Sequence, residues 1–187
     1  MRIHGVRCMH DVPPVVWDAD VYNDCYATFK DQAAMEHSDC YGVKAPAGPA
    51  GENLFKASYK GTPLEAVSAW YSEVADCGPF PGCSEGATGT VGHFTALVWN
   101  GDKQIGCAYG QDGLVACRYK AQDFASCETP NYGGKESYPQ NIFPKVKDFS
   151  TCVEAVKACG FDDSFTTAPH TTLDAVRFRI SFIRKNE

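Results

Sequence analysis

The sequence lacks several things, and each absence removes a class of protein. No stretch approaches ~20 consecutive apolar residues, so no helix is expected to cross a membrane. Positive charge is scarce: 17 Lys and Arg stand against 23 Asp and Glu, a formal net charge of −6. Nucleic-acid binding needs a basic face, so no nucleic-acid partner is expected. There is no Cys-x-x-Cys, so a zinc ribbon or thioredoxin-type motif does not fit. There is no His-Glu-x-x-His for a helical zinc site and no Asn-x-Ser/Thr for N-glycosylation. No repeat or low-complexity tract occurs. The opening residues, Met-Arg-Ile-His-Gly-Val-Arg, lack the apolar segment of a signal peptide. The expectation is a mature chain whose signal has been removed and to which Met1 was added.

What is present fits one domain with a small appendage. The chain has 187 residues, 44% of them hydrophobic and 21% charged, enough to bury a core unaided. Ten cysteines are the informative number. An even count without metal-ligand spacing points to disulfides made in an oxidising compartment, with a protein rich in reduced, buried thiols as the alternative. Cys77 and Cys83 flank Gly-Pro-Phe-Pro-Gly and are expected to close a tight ring. Cys107 and Cys117 sit on two short apolar segments separated by Gln-Asp-Gly, a hairpin signal with a bridge across it. A Cys152–Cys159 pair would need its helix to end early, because about two turns of helix separate the residues by ~10.5 Å.

In chain order, residues 1–16 read as irregular. Asp18 caps a helix whose face is Val21, Tyr22, Cys25, Tyr26, Phe29 and Ala33, with a stop expected near Glu36. A Gly, Ala and Pro loop follows, and Phe55 to Tyr59 reads as a short strand or turn. Thr62-Pro63-Leu64-Glu65 is a capping box with proline at the first helical position. Leu64, Val67, Trp70, Tyr71 and Val74 form the buried side of that helix, and Glu73 points close to it. Residues 76–92 are a loop and residues 120–148 look mostly irregular. Thr151-x-x-Glu154 reads as a second capping box, with Gly160 as the stop. Val176 to Phe182 alternates as a half-buried strand.

Five blocks then occur in a recognisable order: His37-Ser38; Gly51-Glu52-Asn53-Leu54; Ala66-Val67 with Trp70-Tyr71-Ser72-Glu73; Gly92-His93-Phe94-Thr95-Ala96-Leu97-Val98-Trp99; and Ile105-Gly106-Cys107-Ala108 followed by Cys117-Arg118-Tyr119. Together they resemble the CAP superfamily of cysteine-rich secretory proteins, insect venom antigens and plant pathogenesis-related proteins. Val12-Pro13-Pro14 with Trp17-Asp18 resembles the start of the same family. The resemblance runs over roughly residues 4–142. It sets the expected domains as 1–144, the CAP (SCP-like) domain, and 145–187, an extension of helix plus strand packed on the core. It implies an α+β fold, a three-layer α-β-α sandwich on a mostly antiparallel sheet, stabilised by disulfides. It also implies that residues 93–98 are a short helix, which periodicity alone leaves open.

The resemblance carries His37, Glu52, Glu73 and His93 onto the family's two histidines and two glutamates. Two neutral imidazoles, His37 and His93, can bind a divalent cation such as zinc, and Glu52 and Glu73 can orient them or hold a metal-bound water. Ser38 and Thr95 lie beside the histidines, where capping or local hydrogen bonding is the reading ahead of a nucleophile. The run Phe80-Pro81-Gly82-Cys83-Ser84-Glu85 matches a loop linked to sterol binding in fungal members. With one aromatic residue and a bridge across it, this loop is expected to hold a sterol or fatty acid less well, because such affinity comes from buried apolar surface. Three functions follow. The first is a secreted, extracellular binding protein with a metal-competent cleft and a sterol or other lipid ligand, in a defence or effector role. The second is a metal-dependent hydrolase using the same cleft. The third is a toxin-like protein acting on a protein target through its loops or extension. Most of the family resembled has no established enzyme activity, and none is claimed for this chain.

Overall fold

The computed structural model describes residues 3–83, 85–121, 129–132 and 135–158. Its centre is a four-stranded sheet in the order β1-β3-β4-β2. β3 (Asp102–Tyr109) and β4 (Leu114–Ala121) form the expected hairpin, with Cys107 opposite Cys117. β2 (Gly51–Lys56) pairs antiparallel with β4, and Glu52 lies opposite Arg118. The short β1 (Val16–Trp17) runs parallel to β3, so the sheet is mixed rather than antiparallel throughout.

Side chains alternate across a strand, and β4 shows what each face is for. Val115, Cys117 and Tyr119 join the larger core with Ala66, Trp70, Phe94 and Trp99. Leu114 and Ala116 turn the other way, onto Cys25, Phe29, Leu54 and Ala108. Helix α2 (Ala19–Phe29) covers that second face. It approaches closely because Gly106 has no side chain: a Cβ there would meet the Tyr22 nitrogen at 2.3 Å. The first face carries α3 (Pro63–Ser72) and α4 (Gly92–Leu97), with α1 (Ile3–Met9) against α4. The molecule is therefore a three-layer α-β-α sandwich. Two further helices follow, α5 (Tyr138–Asn141) and α6 (Phe149–Ala158), and α6 packs on α1.

Local signals set several helix ends. The Asp18 carboxylate accepts from the amides of Asp20 and Val21, both at 2.9 Å. Thr62 and Glu65 form the reciprocal box, at 3.2 Å from the Glu65 amide to Thr62 Oγ1 and 2.8 Å from the Thr62 amide to Glu65 Oε2. Such a cap contributes ~1 kcal/mol.

Other expectations are corrected. Residues 3–9 are helical, not irregular. α2 stops at Phe29 rather than near Glu36, because the Gln32 amide turns back to the Phe29 carbonyl and its own carbonyl accepts from the Gln111 amide. β2 begins at Gly51, ahead of the strand expected at Phe55. α6 begins at Phe149, so Thr151 lies inside its first turn and does not cap it. Cys152 pairs with Cys8, not with Cys159. Cys77–Cys83 and Cys107–Cys117 form as expected, with Cα separations of 4.6 and 4.0 Å. Cys25 and Cys40 are buried free thiols; burial pushes the first up to about 12 and the second to about 11. Cys127, Cys159, Gly160 and the expected strand 176–182 lie outside the described residues.

Candidate functional site

The two histidines come from opposite faces of the sheet and meet at its β2 edge. Glu52 shares the α2-facing side of β2 with Leu54. Its Oε1 accepts from His37 Nδ1 at 2.9 Å and from the Ser38 amide at 3.0 Å. Its Oε2 accepts from Ser38 Oγ at 2.5 Å and from Arg118 Nε at 3.1 Å. Asn53, one residue on, points to the other face and donates to the His93 carbonyl at 2.9 Å. There Glu73, at the C-terminal end of α3, accepts on Oε1 from His93 Nδ1 at 2.6 Å. Its Oε2 accepts from the amides of His93 and Phe94 at 2.9 and 3.1 Å. A carboxylate accepts but does not donate, so each imidazole in its neutral form carries its proton on Nδ1 and presents Nε2 as the free acceptor.

The imidazole rings lie 6.4 Å apart at 27°, and the Trp70 ring lies 6.4 Å from His93 at 16°. His37 is the open side: its side chain is 57% exposed against 22% for His93. Asn131 holds the floor, donating to the Gly92 carbonyl at 2.9 Å and accepting from Thr95 Oγ1 at 2.7 Å. Thr95 is thus a local hydrogen-bonding residue, and Ser38 Oγ is engaged by Glu52 and Arg118 rather than by a histidine.

All four residues that the sequence singled out for the cleft, His37, Glu52, Glu73 and His93, are brought together here. Their donor chemistry fits a divalent cation in one way: carboxylates orient the imidazoles, as they do around zinc. Glu52 accepts four hydrogen bonds and Glu73 three, all of which hold the histidines and the chain around them, so the protein would supply chiefly the two nitrogens. Consistent with that, no group of three His, Cys, Asp or Glu suited to a metal occurs among the described residues. An ion ~2.0–2.1 Å from both Nε2 atoms needs them within ~4.2 Å. With ring centroids 6.4 Å apart, that separation requires both Nε2 atoms to point into the gap between the rings.

The proposed ligand loop is separate. Phe80 turns inward, with its ring 6.5 Å from that of His10 and packed against the main core. Pro81 and Glu85 are exposed, and Gly82 donates its amide to the Ile142 carbonyl at 3.0 Å. Ser84 lies outside the described residues. The network also contains residues that the sequence did not single out: Arg118, Asp24, Thr28, Asn53 and Asn131. The signal for Arg118 was an arginine inside an apolar strand. It becomes readable only once the register places it opposite Glu52.

The model of the CAP cysteine-rich secretory protein family matches residues 2–119, which include every member of the His/Glu cleft. The chain belongs to the CAP family. Among its relatives, the Golgi-associated plant pathogenesis-related protein 1 of Homo sapiens is 31% identical over 151 residues, 75% of this chain and 87% of that protein. A probable pathogenesis-related protein of Candida albicans is 38% identical over 128 residues, 64% of this chain but 35% of its own length. The chain thus spans about a third of that relative, and it spans less than half of two further Candida albicans relatives. The crystal structure of NaASP2 with Zn2+ superposes with a TM-score of 0.55 at 21% identity, over 80% of this chain and 85% of that one. That likeness is one of CAP fold.

Proposed function

We propose that this chain is a secreted CAP binding protein of the defence or effector type, whose His37/His93 cleft takes a divalent cation, zinc first. One observation carries the reading: each imidazole is fixed through Nδ1 by its own carboxylate, and both Nε2 atoms are left for a ligand. Zinc would supply a Lewis-acidic centre, with its other positions open to water or an oxygen of a bound molecule. The choice of zinc is further motivated by NaASP2, whose crystal structure contains it. Secretion is supported by the family's description and by the disulfides. In this reading residues 1–144 form the CAP domain and 145–187 an extension, whose first helix is bridged back to α1.

Binding is favoured over hydrolysis because Glu52 already accepts four hydrogen bonds, Glu73 is committed to holding His93, and Ser38 is not bonded to a histidine. A sterol or fatty-acid ligand is the lipid form of the proposal, with Phe80 as the loop's one aromatic contribution. Zinc titrated calorimetrically into chelator-treated protein is expected to bind at one site. Binding should disappear in the double substitution His37→Ala/His93→Ala. Equal zinc affinity in that variant would refute the cleft as the site. The same samples, examined by native mass spectrometry with sterols and fatty acids, test the lipid arm.

A further inference from the structure

Arg118 is 1% exposed and makes more contacts than any one partner in the cleft requires. Nε donates to Glu52 Oε2 at 3.1 Å, and Nη2 donates to Ser38 Oγ at 2.7 Å and to Thr28 Oγ1 at 3.2 Å. Nη1 pairs with the Asp24 carboxylate, and the guanidinium lies over the Phe29 ring at 5.5 Å. One planar group therefore joins β4, edge strand β2, the His37 loop and the outer helix α2. Only a fork of fixed N–H directions can serve these partners at once, which a lysine ammonium cannot do.

The arrangement has a consequence for His37. Ser38 Oγ accepts from Arg118 and donates to Glu52, so its single proton is directed by the guanidinium. With Oε2 of Glu52 held in this way, Oε1 is left facing His37 Nδ1 and the Ser38 amide. The His93 half has no such partner: Glu73 is fixed by two backbone amides. Buried Arg118 and Glu52, with the partly exposed Asp24, carry one positive and two negative formal charges, so the cluster favours a cation on the far side of the imidazole.

Resting on the metal reading of the cleft, we propose that Arg118 is the positioning residue for His37, and that Asp24 and Thr28 of α2 act on the cleft through it. The α2 layer is then part of the site although none of its side chains reaches the histidines.

The test uses the full chain and reads the two histidines separately by nitrogen NMR of the imidazoles at mildly alkaline pH. The parent is expected to show both as Nδ1–H tautomers. In Arg118→Lys, His37 should become a tautomer mixture while His93 keeps its signature. Zinc affinity should fall by less than the roughly 10-fold to 100-fold that follows loss of a partner bonded directly to a metal ligand, because Arg118 acts through Glu52. Asp24→Ala should move His37 the same way by less. If Arg118→Lys does not fold, Ser38→Ala removes the hydroxyl-relayed half of the link between Arg118 and Glu52 and leaves the direct Nε bond, so a partial shift of His37 toward a tautomer mixture is the result expected in its place. A folded variant in which His37 keeps the parental tautomer overturns the proposal. So does one in which both histidines lose theirs together. If the parent binds no zinc, the metal reading fails while the tautomer result still decides the role of Arg118.

Discussion

At the scale of single residues, Asp102 is a carboxylate buried at a cost. Both it and Arg7 are 0% exposed, with Arg7 Nη1 3.9 Å from Asp102 Oδ2. Burial pushes the Asp102 carboxyl well above the usual carboxylate range, against the pull of Arg7. Arg7 itself is held mainly by carbonyls: Pro13 at 2.7 Å, Leu97 at 3.1 Å and Asp102 at 3.3 Å. Removing one member of a buried pair leaves the other charge uncompensated, at about 3–5 kcal/mol, whereas replacing both by apolar groups is often nearly neutral. Arg7→Met should therefore lower the urea midpoint sharply, and Arg7→Met/Asp102→Leu should regain only the part due to the charge pair, because the Pro13, Leu97 and Asp102 carbonyls stay unpaired. If the two substitutions add, the pair is not coupled as described. None of this was legible in the sequence. Arg7 lies in a stretch that reads as irregular, and its partner is 95 residues away. The cleft shows the same limit: the motifs named His37, Glu52, Glu73 and His93, but the long-range partner Arg118 became visible only through the β2–β4 register.

At the scale of elements, what the sequence revealed was what is local. The Thr62 box, the Asp18 cap and the Cys107/Cys117 hairpin all involve residues within a few positions or across one turn. Helix α1 has no such signature. It holds a glycine in its middle and no acidic residue in its first turn, so little intrinsic propensity supports it. Its support is tertiary. Gly5 lies against the Phe149 ring, where a Cβ would meet Cε2 at 2.5 Å, and Cys8 is bonded to Cys152 of α6. The amides of Val146 and Lys147 both donate to the Met9 carbonyl. The Cys8–Cys152 bridge spans 144 residues, against 6 for Cys77–Cys83. Chain entropy predicts about 5 kcal/mol for a loop of the first length and about 2 for the second. Cys8→Ser/Cys152→Ser should accordingly lower stability more than Cys77→Ser/Cys83→Ser in chemical denaturation. The reverse order would show that the α1–α6 bridge contributes little beyond packing.

At the scale of the whole molecule, buried histidines tie the fold to pH. His4, half-buried on α1, is held down at about 4, first by burial and then by the Arg7 charge beside it. His10 is lowered too, mainly by burial, although its bond to the Phe143 carbonyl at 2.7 Å works the other way. In the unfolded chain either ring takes up a proton near its ordinary value of about 6.5. Between pH 6.5 and about 4 the unfolded state thus binds the proton that folded His4 refuses, and stability must fall as pH falls. Below that window the His4 contribution levels off, since both states are then protonated. Each tenfold difference in proton affinity between the two states is worth ~1.4 kcal/mol, so the loss from His4 has a ceiling of roughly 3 kcal/mol. Carboxylates titrate over the same range, so the contrast between parent and His4→Phe isolates the histidine. The parent should lose more thermal stability than His4→Phe on going from neutral pH into the window. Parallel losses in the two proteins would show that His4 is not the group responsible.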